Sequence, residues 1–145
     1  MSDVTVTSLA NLQNEVRYGA GKTLITDEPR DAGGEDAGPD PYTLLLAALG
    51  TCISMTTTLY ARRKGWPLER VTVRLRQQRI HAADCLECAE KEGLVHRIER
   101  SVTFKGNLNG EQLTRLQEIA HKCPVHKTLT APIVVADLKE EAAAD

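Results

Sequence analysis

Aromatic side chains are scarce: one Trp, one Phe and three Tyr make up 3% of the 145 residues. Leu, Val, Ile and Ala must therefore fill the interior. Charge of one sign is lacking too. The formal net charge is −2 and the pI about 6.1, which argues against a general nucleic-acid binder with its basic patch. The opening MSDVTVTSLA has no basic stretch followed by an apolar run, so a signal peptide is not expected. The most apolar run, residues 44–60, reads as too short and too rich in Thr, Gly and Ser for a membrane span. Four scattered cysteines, Cys52, Cys85, Cys88 and Cys123, are too few for a secreted disulfide scaffold. In a reducing compartment such thiols are catalytic, metal-binding or buried. The expectation is a cytoplasmic chain with neither nucleic acid nor membrane as partner.

What is present fits one domain. Hydrophobic residues at 41% and charged residues at 26% are ordinary for a globular chain of this length. Residues 4–27 favour strands, with VTVTS first and two more around the turn Gly19-Ala20-Gly21. Residues 28–39 hold Gly and Pro without an apolar pattern and read as a mobile loop, in which Glu35 and Asp36 are solvated. Asp40 can cap a helix whose first turn holds Pro41. ARRKGWP supplies basic residues, a stop at Gly65 and Pro67 beyond it. A helix over 41–64 would be about 36 Å long at 1.5 Å per residue. Its first half is apolar nearly all round, which demands burial on most sides. Leu45, Ala48, Leu49, Met55, Thr56 and Leu59 share a face with Cys52 by helical spacing. A domain of this size can hardly wrap such a helix alone, so a second copy is expected to cover it.

Beyond the helix, Val71, Val73 and Leu75 alternate with polar residues, and Leu94, Ile98, Val102 and Phe104 keep one parity. These read as an antiparallel pair of strands. Asn109 and Gln112 resemble a capping box for a helix with Leu113, Leu116, Ala120 and Cys123 on one face. PIVVADL, residues 132–138, reads as a last strand, and KEEAAAD as a frayed acidic tail. Strands, buried helix, strands, helix and strand make an α+β order.

Two groups of residues could carry chemistry. In HKCPVHKTL, Pro124 suits the first turn of a new helix, which would put Cys123 at a helix N-terminus. The dipole and free N–H groups there stabilise a thiolate. The bland reading is that Cys123 merely ends an apolar face. In HAADCLECAEKEGLVH, Cys85 and Cys88 form a C-x-x-C flanked by His81 and His96. As a zinc site it supplies two soft ligands and needs two more, from the histidines or a second subunit. As a redox pair it lacks the helix start that such motifs use, and the bland reading is two spare thiols on an acidic loop.

GPDPYTLLLAALGTC and KCPVHKTL together resemble the OsmC/Ohr family of thiol-dependent peroxide-reducing proteins, and YARRKGWPLERVTVRL is similar to its OsmC-like branch. The resemblance implies one OsmC-like domain over 1–145: an N-terminal β-region and loop (1–39), a central helix (40–65) and a β-α-β region (70–138). It also implies an intertwined homodimer with antiparallel sheets wrapped around long central helices. In active members of the family the central-helix Cys is the peroxidatic nucleophile and the Cys of the Cys-Pro motif resolves it. Carried over, Cys52 attacks the peroxide, Cys123 condenses with it, and an external dithiol reduces the pair, with no cofactor required. The residues alone make Cys123 the more acidic thiol, whereas the resemblance gives attack to Cys52. Active members pair a Glu after the helix-start Pro with a hairpin Arg. Here Tyr42 stands at the Glu position, and Arg17 and Lys22 are the hairpin's basic residues. Two readings follow: reduction of organic hydroperoxides in oxidative-stress defence, or a catalytically silent dimer that binds a small hydrophobic ligand, with zinc at Cys85 and Cys88 steadying its loop.

Overall fold

The computed structural model describes residues 2–89 and 91–139. The chain divides into two compact units, the first holding the residues up to Thr51 with Val73–Ser101, the second Cys52–Thr72 with the residues from Val102 onward. Helix and antiparallel sheet are mixed, as expected of an α+β chain.

In the first unit, β1 (Val4–Ser8), β2 (Asn14–Tyr18) and β3 (Lys22–Thr26) form a three-stranded antiparallel meander. Val6 faces Val16, and Val16 faces Leu24, so one apolar row crosses the sheet. The expected hairpin turn is present, with Gly19 and Gly21 at φ +54° and +75°, a region open to glycine. The loop over 28–39, expected to be mobile, is organised by one side chain. Asp27 Oδ1 accepts from the N–H of Glu28 (2.8 Å), and Oδ2 accepts from those of Glu35 (3.0 Å) and Ala37 (3.1 Å). Glu35, expected to be solvated, accepts from Gln13 Nε2 at 2.8 Å. The loop returns so close to β3 that a Cβ on Gly38 would lie 2.1 Å from the Ile25 carbonyl oxygen.

The central helix, α1 (Pro41–Lys64), runs between the bounds its capping residues predict. Asp40 Oδ1 accepts from the Thr43 N–H at 2.7 Å. Gly65 ends the helix at φ +69°, while the N–H of Trp66 bonds the Ala61 carbonyl at 2.9 Å. The buried residues of α1 are Leu49, Ile53, Thr57 and Ala61 at four-residue spacing, with Gly50 beside Leu49. Thr57 Oγ1 satisfies itself on the Ile53 carbonyl at 2.9 Å. The expected burial of the first half on most sides is not met within one copy, since Ala47 and Ala48 are exposed and Leu44, Leu45 and Leu46 half-buried; in the second half Met55 is 64% exposed and Leu59 57%. With 24 residues and an 18-residue stretch of mean hydropathy 1.6, α1 is also long and apolar enough to cross a membrane by length and composition only, as the core helix of a soluble protein can be. The argument from shortness therefore fails, because the helix extends beyond the apolar run at both ends.

β4 (Leu68–His81) and β5 (Leu94–Gly106) make a two-stranded ribbon. Arg76 bonds Glu99 and Gln77 bonds His96, so the strands run antiparallel as predicted. Val71, Val73 and Leu75 are half-buried with exposed neighbours. In the second unit, α2 (Gly110–Ala120) carries the predicted capping box, with Asn109 Oδ1 accepting from the Gln112 N–H and Gln112 Oε1 from the Asn109 N–H, both at 2.9 Å. α3 (Pro124–Leu129) follows. Leu116, Ile119 and Ala120 of α2 are buried, as are Ile53, Thr57 and Ala61 of α1.

Residues 132–138 do not form the expected strand. A strand requires a ladder partner. Among the described residues none pairs with this segment, and Val134 and Val135 are exposed. Beyond Lys139, the expected acidic tail lies outside the described residues.

Burial raises the Asp27 pKa, but the N–H groups of Ala37, Glu28 and Glu35 outweigh it and hold the carboxyl below its ordinary 3.8. A depressed carboxylate contributes stability that is present above the unfolded pKa and lost as pH falls through the folded one. Asp27→Asn is expected to melt lower than wild type at neutral pH, with the two melting curves converging below about pH 4. Thermal denaturation across pH 2–7 checks this, and a constant gap between the two proteins would contradict it.

Candidate functional site

The two free thiols sit on elements whose ends are locally determined. Cys52 lies midway along α1, between the Asp40 cap and the Gly65 stop. Cys123 is the N-cap residue of α3, where Pro124 breaks the preceding chain and starts the new turn. The Cys123 Sγ accepts from the His126 N–H at 3.2 Å. Both residues belong to the second unit. The two side chains are near enough for Cys52 to raise the Cys123 thiol. Thr56, one turn beyond Cys52, places Oγ1 3.9 Å from its Sγ.

The two thiols differ in access. Cys52 is half-buried and Cys123 fully buried. Burial pushes the Cys123 thiol above its ordinary value, and contact with Cys52 pushes it further, against the backbone N–H groups of His126 and Val125. The sequence-based reading of Cys123 as the more acidic thiol is therefore overturned. A helix start lowers a thiol's pKa where water can also reach it, and desolvation wins here.

Tyr42 and Arg17, the residues considered for activation, have other partners. Arg17 pairs with Glu15 on its own strand at 2.9 Å. Tyr42, at the start of α1, packs its ring on His96 with centroids 4.9 Å apart. Both belong to the first unit. Cys85 and Cys88, considered for zinc, are bonded to each other as a disulfide. In this form the pair offers no thiolate to a metal, so a zinc ion would need the reduced pair.

One polar cluster of the second unit escaped sequence reasoning. Arg115 Nε donates to Tyr60 Oη at 3.0 Å, and this bond holds the phenol below its usual range. Arg63 and Lys64 lie 5.8 and 5.7 Å from the ring centre. Tyr60 and Arg115 are 55 positions apart, so no local motif announces the pair.

At pH 7–8, Cys123 of the reduced, folded protein is expected to react with iodoacetamide more slowly than Cys52, because it is fully buried and its thiol is raised above its ordinary value. Peptide mass spectrometry over time reads this, and equal rates would contradict the asymmetry.

The comparisons with known proteins bear on this arrangement. The chain adopts the fold of an organic hydroperoxide resistance protein, OsmC, from Legionella pneumophila, to which it is 20% identical with a TM-score of 0.64, over 90% of this chain and 89% of that one. The OsmC-like protein from Mycoplasma pneumoniae superposes with a TM-score of 0.68 at 18% identity, over 89% of this chain and 86% of that one. The organic hydroperoxide resistance protein OhrB of Bacillus subtilis does so with 0.60 at 17%, over 90% of each. At these identities the likeness is one of fold. No curated protein sequence matches the chain. The OsmC family, described as OsmC-like protein, matches residues 33–136. That span takes in both Cys52 and Cys123 with the helices that carry them, and the chain belongs to the OsmC-like protein family.

Proposed function

We propose that the protein reduces organic hydroperoxides through a Cys52/Cys123 thiol–disulfide cycle. The observation that carries this reading is the contact between a half-buried thiol and a fully buried one. The Cys52 thiolate attacks the peroxide O–O bond. An alcohol leaves after taking up a proton, and Cys52 becomes a sulfenic acid. Cys123 Sγ then attacks the sulfenic sulfur, water leaves and the disulfide forms. An external dithiol returns both thiols by two exchanges. The roles follow from access: the half-buried thiol meets substrate, and the buried thiol, with its raised pKa, suits an attack that waits for the sulfenic acid.

The structural neighbours from Legionella and Bacillus carry hydroperoxide resistance in their names, which supports the substrate class. A second reading, a silent binder of a small hydrophobic ligand, draws on Tyr42, whose ring at the start of α1 lies against His96 where active relatives are expected to hold a Glu.

The working form in this proposal is a homodimer. Met55 and Leu59 on α1, and Ile133, Val134, Val135 and Leu138 beyond α3, are exposed in one copy. A second copy would cover the helix face and offer residues 132–138 the ladder that they lack.

Cys52→Ser is expected to abolish consumption of cumene hydroperoxide in a dithiothreitol-coupled assay. Without added dithiol, Cys123→Ser is expected to consume one equivalent and stop, leaving a sulfenic acid on Cys52 that dimedone traps. Full turnover by Cys52→Ser would refute the mechanism. Light scattering of the full chain is expected to give twice the monomer mass, and a monomer at micromolar concentration would remove the dimer from the proposal.

A further inference from the structure

The Cys85–Cys88 disulfide takes no part in the cycle just described. It sits in the loop that joins β4 to β5, after a single 3-10 turn at Ala82–Asp84. Ala82 donates its N–H to the Gly93 carbonyl at 2.8 Å, which closes the base of the loop. Cys85 is 3% exposed, whereas Cys88 is only half-buried. Leu86, between them, is 94% exposed. Beside it lies a hollow of about 460 Å³ lined by Gln78, Ile80, His81 and Arg97 among others.

As a staple this bond does little. The chain-entropy gain from a disulfide grows with the loop it closes, and here the two sulfurs are three positions apart. In a reducing compartment, the one expected from the composition, disulfides are catalytic, transient or sensing rather than structural. The charges around the pair also suit exchange. Lys91 Nζ donates to the backbone carbonyl of Cys85, which fixes an ammonium on the residue whose sulfur would leave. Glu87, 3.8 Å from Cys85 Sγ, is engaged by Arg97 through bonds of 2.7 and 3.3 Å. That engagement draws off much of the carboxylate's repulsion for a thiolate.

We propose that Cys85 and Cys88 form a second thiol–disulfide couple, one that exchanges with a protein dithiol entering at Cys88. A thiolate of the partner attacks Cys88 Sγ, the S–S bond breaks, and Cys85 leaves as a thiolate that takes a proton from water. The partner's second thiol then attacks the mixed disulfide and frees Cys88. Two electrons pass to the pair, and the partner ends as a disulfide. Cys85 is too buried to be the point of attack. Leu86 offers the partner an apolar contact beside the sulfur.

The test uses the full chain as Cys52→Ser/Cys123→Ser, so it does not depend on the peroxide reading. With millimolar dithiothreitol, two alkylatable thiols are expected to appear while the far-UV circular dichroism stays unchanged, and both are expected to vanish on addition of oxidised glutathione. In the same background, adding Cys85→Ser should let oxidised glutathione form a mixed disulfide on Cys88. Adding Cys88→Ser instead should leave Cys85 reacting at least about tenfold more slowly. Lys91→Met should slow opening of the bond, and Lys91→Arg should restore the rate. A bond that opens only when the protein unfolds would overturn the proposal. So would equal reaction of Cys85 and Cys88, or a reduced protein that takes up one equivalent of zinc and hides both thiols.

Discussion

The contact between Cys52 and Cys123 is the constraint on which the rest of the second unit depends. Two thiols far apart in sequence can meet only if each is held by an element of defined length. α1 holds Cys52 because Asp40 starts it and Gly65 stops it. α3 holds Cys123 because Pro124 can begin a helix but cannot continue one. The buried residues of α2, Leu116 and Ile119 foremost, belong to the same unit and exclude water from it. Removing water raises the Cys123 thiol, and that separates two chemically identical side chains into an accessible one and a reserved one.

The helix that carries Cys52 is also where one copy of the chain is least complete. Little more than a four-residue-spaced stripe is buried, although the first half of the helix is apolar on nearly every side. The segment after α3 shows the same imbalance, with apolar side chains exposed and backbone groups without a ladder among the described residues. Both features have one physical origin: apolar surface and unpaired backbone are stable only when something covers them.

Two dithiol pairs in one small chain invite comparison of their surroundings. Cys52 and Cys123 sit among packed helices, and contact with the former helps to raise the latter's pKa. Cys85 and Cys88 sit in a loop among fixed charges, joined to each other, with an exposed leucine between them. Burial raises Cys123 in the first pair, and the second lies beside the Glu87–Arg97 ion pair. The same residue type is tuned by different means within one fold.

Much of the architecture could be read without coordinates, because it is local. Caps, stops and turns depend on neighbours within four residues, so α1, the Gly19–Gly21 hairpin and the Asn109–Gln112 capping box emerged where expected. Alternation placed β4 and β5 for the same reason. What depends on distant partners could not be read. The loop after β3 is ordered by three N–H groups that converge on Asp27. Residues 132–138 have strand composition but no ladder partner among the described residues. Tyr60 finds Arg115 across 55 positions. Cys123 reads as acidic in sequence and is raised in the fold, because a helix start is visible in sequence and burial is not. The sequence by itself determined where α1 begins and ends and how α2 is capped, since backbone hydrogen bonding and capping are short-range. Only the tertiary structure decided which thiols meet and which is shielded from water, since desolvation depends on everything packed around a group.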